Sequence, residues 1–258
     1  MNSILSSPLI MKMMADNLDR FAREKDPTGT PLYNTVMNHL GADRTVIDIG
    51  AGVGRFAIPM ARAGLKVAAV EPSDEMCKRL FDSIEKEDLK SRIDVIQSEW
   101  PVKEDLHADV TFASLVIQFS NEPLKFIRAM EKSAKNRCIL SVHVDQPLPF
   151  LKDIWPIFRP ADTVPSMLTF SDLYPLMLNE GIIADVTIIT ENRPPLPMKE
   201  PYRFVPMLSE LLMINDKPSE MQRLSGILIA KRKQVQQMNM IRTALISWHP
   251  TDSKLMVR

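Results

Sequence analysis

The chain has 258 residues, 45% of them hydrophobic, with Lys+Arg and Asp+Glu both at 32, so its formal charge is zero. That length suits one large α/β domain, alone or with insertions, and the charge balance argues against a protein built to coat nucleic acid or an anionic membrane. No apolar run approaches the roughly 18 residues that span a bilayer, and Ser6, Ser7, Pro8 and Lys12 break up the N-terminus without a signal-peptide cleavage pattern, so a cytoplasmic location is expected.

In chain order, the first forty residues read as a helical cap. Thr45-Val46-Ile47 then has the β-branched character of a buried strand, and Phe56 to Ala63 reads as an amphipathic helix. Pro59 falls near the first turn of that helix, where its missing N–H had no partner to lose. Lys66 to Val70 is a second strand. Ser73 N-caps a helix running to Glu87, with Asp74 and Glu75 in its first turn, where negative charge is favourable. Ile93 to Gln97, Asp109 to Ala113 and Cys138 to Val144 read as strands, and Asn121 to Ala134 as a helix. Ser171 opens a helix ending near Gly181, a suitable C-cap, Ile182 to Thr190 alternates as a strand, and Leu224 to Lys231 reads as the last strand. This alternation predicts a doubly wound, mostly parallel sheet with helices on both faces. Ligands then bind beyond the carboxyl ends of the strands, at the switch point between the first and fourth strands. Cys77 and Cys138 lie far apart and read as buried free thiols of a reducing compartment.

The stretch that specifies a ligand is Asp48-Ile49-Gly50-Ala51-Gly52-Val53-Gly54, in the turn between the first strand and its helix. Glycines there let backbone N–H groups approach a ligand, and the helix N-terminus adds partial positive charge. Glu71-Pro72-Ser73 follows the second strand, Glu71 standing seventeen positions after Gly54, where a carboxylate can accept both hydroxyls of a ribose. Dinucleotide enzymes want G-x-G-x-x-G. Here the third glycine comes one position early and Arg55 stands where that fingerprint needs no side chain.

The D-x-G-x-G-x-G form resembles motif I of the class I S-adenosylmethionine-dependent methyltransferases, and Glu71 resembles their motif II acid. The resemblance covers roughly residues 41 to 232 and implies one methyltransferase domain over 1–258 with a seven-stranded sheet. Residues 1–40 form its cap, 41–145 its cofactor-binding core, 146–232 its C-terminal half and 233–258 its tail. It implies S-adenosylmethionine as cofactor, S-adenosylhomocysteine as product, and a cofactor site made by Asp48, Gly50, Ala51, Gly52, Gly54, Glu71 and Pro72. Ser98-Glu99-Trp100 falls where the family carries motif III, which assigns Glu99 to the adenine amino group and Trp100 to the face of the base. Ala108 to Phe119 resembles motif IV and puts Ser114 near the sulfonium. Many relatives have a histidine or aromatic pair where this chain has Gln118-Phe119, so no catalytic histidine carries over, and Gln118 becomes a substrate contact.

The segments outside that core should choose the acceptor. Proline concentrates in the 146–170 and 191–220 insertions, whose Phe150, Trp155, Phe158, Phe170, Tyr202 and Phe204, with many of the 17 methionines, suggest a stiff helical cap suited to a small apolar or aromatic molecule. Trp155 and Tyr202 are the residues expected to touch it. His143, at the exit of the fifth strand with Asp145 as a companion, is the weak catalytic candidate and a further substrate contact. No His/Cys/Asp group has metal spacing. The tail beyond residue 230 carries six basic residues against Asp252. It keeps an RNA or protein methyltransferase open as an alternative, alongside a non-catalytic module of the same fold. Met238 to Trp248 is apolar enough to close the fold as a helix or a strand.

Overall fold

The computed structural model describes residues 8–147, 149–192, 204–231 and 240–250. Its strands are β1 (Thr45–Ile49), β2 (Lys66–Val70), β3 (Ile93–Ile96), β4 (Ala108–Ser114), β5 (Ala134–His143), β6 (Asp185–Asn192) and β7 (Met240–Trp248), in one sheet of order β3-β2-β1-β4-β5-β7-β6. β1 pairs in parallel with β2 and β4, β2 with β3, and β4 with β5, while β7 enters antiparallel beside β5. The order reverses between β1 and β4, which is the switch point expected of a doubly wound sheet.

Helices among the described residues are α1 (Pro8–Glu24), α2 (Pro31–Asn38), α3 (Ala57–Arg62), α4 (Asp74–Lys86), α5 (Pro123–Ser133), α6 (Leu151–Phe158), α7 (Phe170–Asn179), α8 (Val205–Leu211) and α9 (Pro218–Ala230). The caps follow local chemistry. Ser73 accepts the Met76 N–H at the start of α4, and Thr169 and Asp172 form a reciprocal capping box on α7. Gly181 takes φ +75° just past α7, as a C-cap glycine should.

β1 and β4 lie in the middle of the sheet and bury both faces, so their sequences show continuous apolar runs instead of alternation. Successive residues go to opposite layers. Val46, Val67, Val110, Phe112 and Ile139 pack with Leu32, Tyr33 and Val36 of α2, Met60 of α3 and Leu80 of α4. Ile47, Ile49, Ala113, Leu140 and Ile246 pack with Phe126, Ile127 and Met130 of α5 and Leu173 and Met177 of α7. At about 25 cal/mol per Å² of apolar surface, each of the larger side chains contributes roughly 1.5–3 kcal/mol.

One sequence expectation changes. Leu224 to Lys231 belongs to α9 and not to a strand. Leu224 and Leu228, one helical turn apart, share a buried face, while Ile229 is exposed, a 3.6-residue pattern that eight residues of mixed apolar character conceal. The closing strand is β7, inside the stretch read as helix or strand. The link from β3 to β4 contains no helix, and none is expected there. Trp100, Val102 and Leu106 from that link pack instead against the layer that contains α5.

The chain divides into two compact units. Among the described residues, the larger comprises 15–144, 168–189 and 243–250, and the smaller comprises 8–14, 145–147, 149–167, 190–192, 204–231 and 240–242. The smaller has its own core, in which Phe150, Leu151, Ile154 and Trp155 pack with Phe204, Leu208, Leu212, Ile214, Leu224 and Leu228. No helix among the described residues is long and apolar enough to cross a membrane, and none of their acidic, His or Cys side chains group as a metal site.

Candidate functional site

The carboxyl ends of β1 and β2 bring the glycine turn and Glu71 together. Gly50 and Ala51 both donate N–H bonds to the Val70 carbonyl, at 2.7 and 3.1 Å, which fastens the turn to the end of β2. One residue further on, Glu71 Oε2 accepts the Gly52 N–H and Oε1 accepts the Ser73 N–H, each at 2.9 Å. The Glu71 carboxyl is buried. Burial raises its pKa, and the two N–H bonds, from Ser73 and Gly52, oppose that rise. Each carboxylate oxygen has about two acceptor positions, so one N–H per oxygen leaves room for one further donor on each. A ribose offers two adjacent hydroxyls, which is the donor set this carboxylate fits.

The three glycines have different reasons to be glycine. A Cβ at Gly50 would lie 2.5 Å from Val116 Cγ2, and one at Gly54 would lie 2.5 Å from Leu80 Cδ1, so the protein's own side chains fill those spaces. At Gly52, φ +58°, a Cβ would meet nothing nearer than Met76 Sδ at 3.9 Å. That opening lies in the same residue whose N–H binds Glu71, and it is the part of the turn that a ligand can occupy.

Asp48 points to the other side of this corner. It is 2% exposed, accepts the Ala57 N–H at the start of α3, and leaves Oδ2 without a partner. Burial first, and the neighbouring Glu71 charge second, push its pKa up to about 7. Cys77 donates its thiol to the Glu71 carbonyl at 3.3 Å, and burial pushes that thiol up to about 11, which makes it unreactive.

The geometry and the sequence together decide the family. Residues 10–181 match the sequence profile of a family described as "Methyltransferase domain", which is more than half of the chain. The chain belongs to that methyltransferase family. Its fold and sheet order are those of the class I, S-adenosylmethionine-dependent enzymes. Among solved structures, YjhP from E. coli shares 14% identity over 93% of this chain and 99% of that one, at TM-score 0.61. A magnesium protoporphyrin IX methyltransferase from Synechocystis, solved with bound S-adenosylhomocysteine, shares 14% over 92% and 82%, at 0.54. The [4+2]-cyclase SpnF shares 18% over 86% and 81%, at 0.54. No curated protein sequence matches the chain closely enough to count as a relative. The Glu71 carboxylate with the opening at Gly52 fits the nucleoside of S-adenosylhomocysteine, the molecule bound in the Synechocystis structure.

The remaining sequence-derived residues spread over the larger unit's carboxyl edge and beyond it. Pro72 is exposed beside Glu71. Ser98 donates to the Glu99 carbonyl at 3.1 Å, and the Glu99 side chain is exposed. Trp100 donates its indole N–H to the Phe126 carbonyl at 3.1 Å and meets the Phe126 ring edge-on, so the methyltransferase has anchored this indole to α5. Ser114 accepts from Ser141 across β4 and β5 at 3.1 Å. His143 ends β5, facing Thr243 of β7 in the antiparallel register. The Asp145 carboxylate forms a two-pronged pair with Arg242, with the Nε contact at 2.7 Å. Gln118 is buried and donates Nε2 to the Leu115 carbonyl at 2.6 Å. Trp155 is 5% exposed, inside the smaller unit's core. Tyr202 lies outside the described residues.

No sequence signal marks the turn that packs on Gly50. Leu115 has φ +56°, a conformation that a leucine does not advertise, and Val116 fills the space left by Gly50. Two cavities flank the larger unit away from the Glu71 corner. One of about 430 Å³ opens at the amino ends of β1, β2 and β4, near Lys66, Arg92 and His107. The other, of about 370 Å³, borders Gly54 and Arg55 on the side of α1 and α4. The first lies at the wrong end of the strands for a ligand of an open α/β sheet.

Proposed function

We propose that this methyltransferase moves the methyl group of S-adenosylmethionine to a small apolar or aromatic acceptor. The observation that carries the reading is the buried Glu71 carboxylate, fixed by the Gly52 and Ser73 N–H groups beside an opening at Gly52. When bound, S-adenosylmethionine supplies an electrophilic methyl on a sulfonium, and the transfer is an in-line displacement.

The protein's work is binding and orientation. Glu71 is fixed before the ligand arrives, so its acceptor positions need no reorganisation when ribose hydroxyls bind. Orientation of donor and acceptor can lower the barrier of such a displacement by several kcal/mol, on the order of 7 to 11 in the best intramolecular comparisons. A base is needed only for an acceptor that arrives protonated, and His143 at the end of β5 is the side chain we assign to take that proton.

Acceptor choice is assigned to the smaller unit, where Trp155 is buried in the unit's own core and the half-buried Phe158 takes its place as the aromatic contact. Its composition supports an apolar partner. Phe158, half-buried at the end of α6, lies under the Arg223 guanidinium at 5.5 Å and is an aromatic face that suits rings and hydrocarbon. Structural neighbours are named for small-molecule acceptors, magnesium protoporphyrin IX in one and sarcosine and dimethylglycine in another, which favours a small acceptor.

The test is labelled methyl transfer from S-adenosylmethionine across a panel of phenols, aromatic acids and hydrophobic amines, run beside bulk RNA and protein. Transfer to members of the small-molecule panel, lost or redirected by Phe158→Ala with S-adenosylhomocysteine affinity changed less than about threefold, is expected. Transfer only to RNA or protein would overturn the small-acceptor reading. Tight cofactor binding without transfer to anything would place the chain with the non-methylating members of this fold.

A further inference from the structure

The turn after β4 is held in a conformation that its sequence does not favour, and one polar atom in it has no partner. Leu115, φ +56°, is a non-glycine residue in left-handed backbone, which costs roughly 1–2 kcal/mol. It is braced from both sides. Its N–H donates to the Ser141 carbonyl of β5 at 3.0 Å, and its carbonyl accepts Gln118 Nε2 at 2.6 Å. Val116, the next residue, sits in the space left by Gly50, so this turn touches the glycine loop directly.

The Leu115 carbonyl can only accept, which fixes the Gln118 amide with nitrogen toward it and oxygen away. Gln118 is 7% exposed, and its Oε1 is buried without a hydrogen-bond partner. A buried orphan acceptor is expensive. Strain and an unpaired acceptor in one turn, against a ligand loop, mark a site built for a ligand that completes it.

Strand order narrows the ligand group. Glu71 follows β2 and the glycine loop follows β1, so a nucleoside held at that corner has one end toward β3 and the other toward β4. The cofactor carries two N–H donor groups beyond its ribose, the adenine amine and the amino-acid ammonium. The β3 side offers the exposed Glu99, whereas the β4 side offers an acceptor already stripped of water. We propose that Gln118 Oε1 accepts a hydrogen bond from the amino-acid ammonium of S-adenosylmethionine, making Gln118 a cofactor-binding residue of this chain and not an acceptor contact. The inference rests on the proposed cofactor site at Glu71. A buried amide oxygen suits an ammonium because it supplies an acceptor without adding a second negative charge near Asp48 and Glu71.

The test compares S-adenosylhomocysteine with methylthioadenosine, which keeps the nucleoside and thioether but has no amino-acid end. Calorimetry on the full-length wild type and on Gln118→Leu is expected to show S-adenosylhomocysteine weakened at least about tenfold, the size of a hydrogen bond to a charged group, with methylthioadenosine unchanged within about twofold. Gln118→Met keeps the side-chain length and should repeat the pattern. Equal losses for both ligands would mean that Gln118 only braces Leu115, and no loss for either, or a loss confined to methyl-acceptor KM, would equally overturn the assignment. A wild type that binds neither ligand would instead overturn the cofactor reading beneath it.

Discussion

The two units are held together by different physics. In the larger, a ladder of strand pairs fixes the backbone, and at its carboxyl edge main-chain N–H groups fix the one carboxylate that matters: Gly52 and Ser73 on Glu71. In the smaller, an apolar helical core does most of the holding, with Trp155, Leu208, Leu212 and Leu224 in contact and a few polar ties such as Gln146 to the Met167 backbone at 2.8 and 3.0 Å. A site made from backbone tolerates almost no change of side chain at its glycines. A unit held by apolar packing can exchange side chains of similar volume and keep its fold, which is how acceptor preference can change while the cofactor site stays constant.

The largest effect should come from breaking the larger unit where its own packing requires glycine. Gly54→Val puts a branched Cβ 2.5 Å from Leu80 Cδ1 and 3.0 Å from Ile58 Cγ1 at φ +89°. Overpacking of about 1–3 kcal/mol adds to left-handed strain of about 1–2. Thermal denaturation should show a lowered midpoint or no cooperative transition, and an unchanged midpoint would mean the turn can rearrange.

Trp155→Ala is the corresponding break in the smaller unit. Emptying a buried Trp site costs about 3–5 kcal/mol, so the smaller core should loosen, read as faster hydrogen exchange in α6, α8 and α9. Exchange in β1, β2 and β4, and the affinity for S-adenosylhomocysteine, should stay at wild-type values. Equal loss of protection in both units would show that they do not behave separately.

Glu71→Ala sharpens the comparison at the site itself. It removes an acceptor for two ribose hydroxyls and also unpairs the Gly52 and Ser73 N–H groups. Hydrogen bonds to a charged group contribute roughly 1.5–3 kcal/mol, so S-adenosylhomocysteine affinity measured by calorimetry should fall at least about tenfold. A fall of less than twofold would remove Glu71 from the site.

The smallest effect is a pH dependence. The Asp48 pKa is raised from 3.8 to about 7 by burial and by the Glu71 charge. The folded state therefore favours the neutral acid. Its contribution to stability is fully present below about pH 4 and is lost as pH rises through about 7. Asp48→Asn, which stays neutral, should flatten that decline, so the gap between variant and wild-type urea midpoints should widen from pH 5 to pH 8. A constant gap would mean that Asp48 is already ionised in the fold at pH 5.

Much of the larger unit was legible because its signals are local. A β-branched run before D-x-G-x-G-x-G, a serine cap with two acids behind it, and an acid at the end of the second strand each follow from backbone chemistry within a few residues. The alternation of strands and helices gave the doubly wound class in the same way. What could not be read depends on distant partners. The anchoring of Trp100 is one case: its indole N–H is tied to the Phe126 carbonyl, twenty-six residues away, from a β3–β4 link that contains no helix. Leu224 to Lys231 looked like a strand because its helical periodicity shows only against a core that includes Phe150 and Leu208. The Leu115 turn gives no sequence signal at all, since its strain is sustained by Ser141 and Gln118.

The most direct test of the central claim is a calorimetric titration of S-adenosylhomocysteine and of NAD into the wild type and into Gly52→Val. The space around a Cβ at Gly52 is open within the protein, so the variant should fold, with a penalty of about 1–2 kcal/mol for the left-handed backbone. Wild-type protein should bind S-adenosylhomocysteine and not NAD, and Gly52→Val should bind neither while keeping its circular dichroism and a cooperative melt. Unchanged S-adenosylhomocysteine affinity in the folded variant, or wild-type binding of NAD in its place, would contradict the assignment of the Gly52–Glu71 corner as the methyl donor's site.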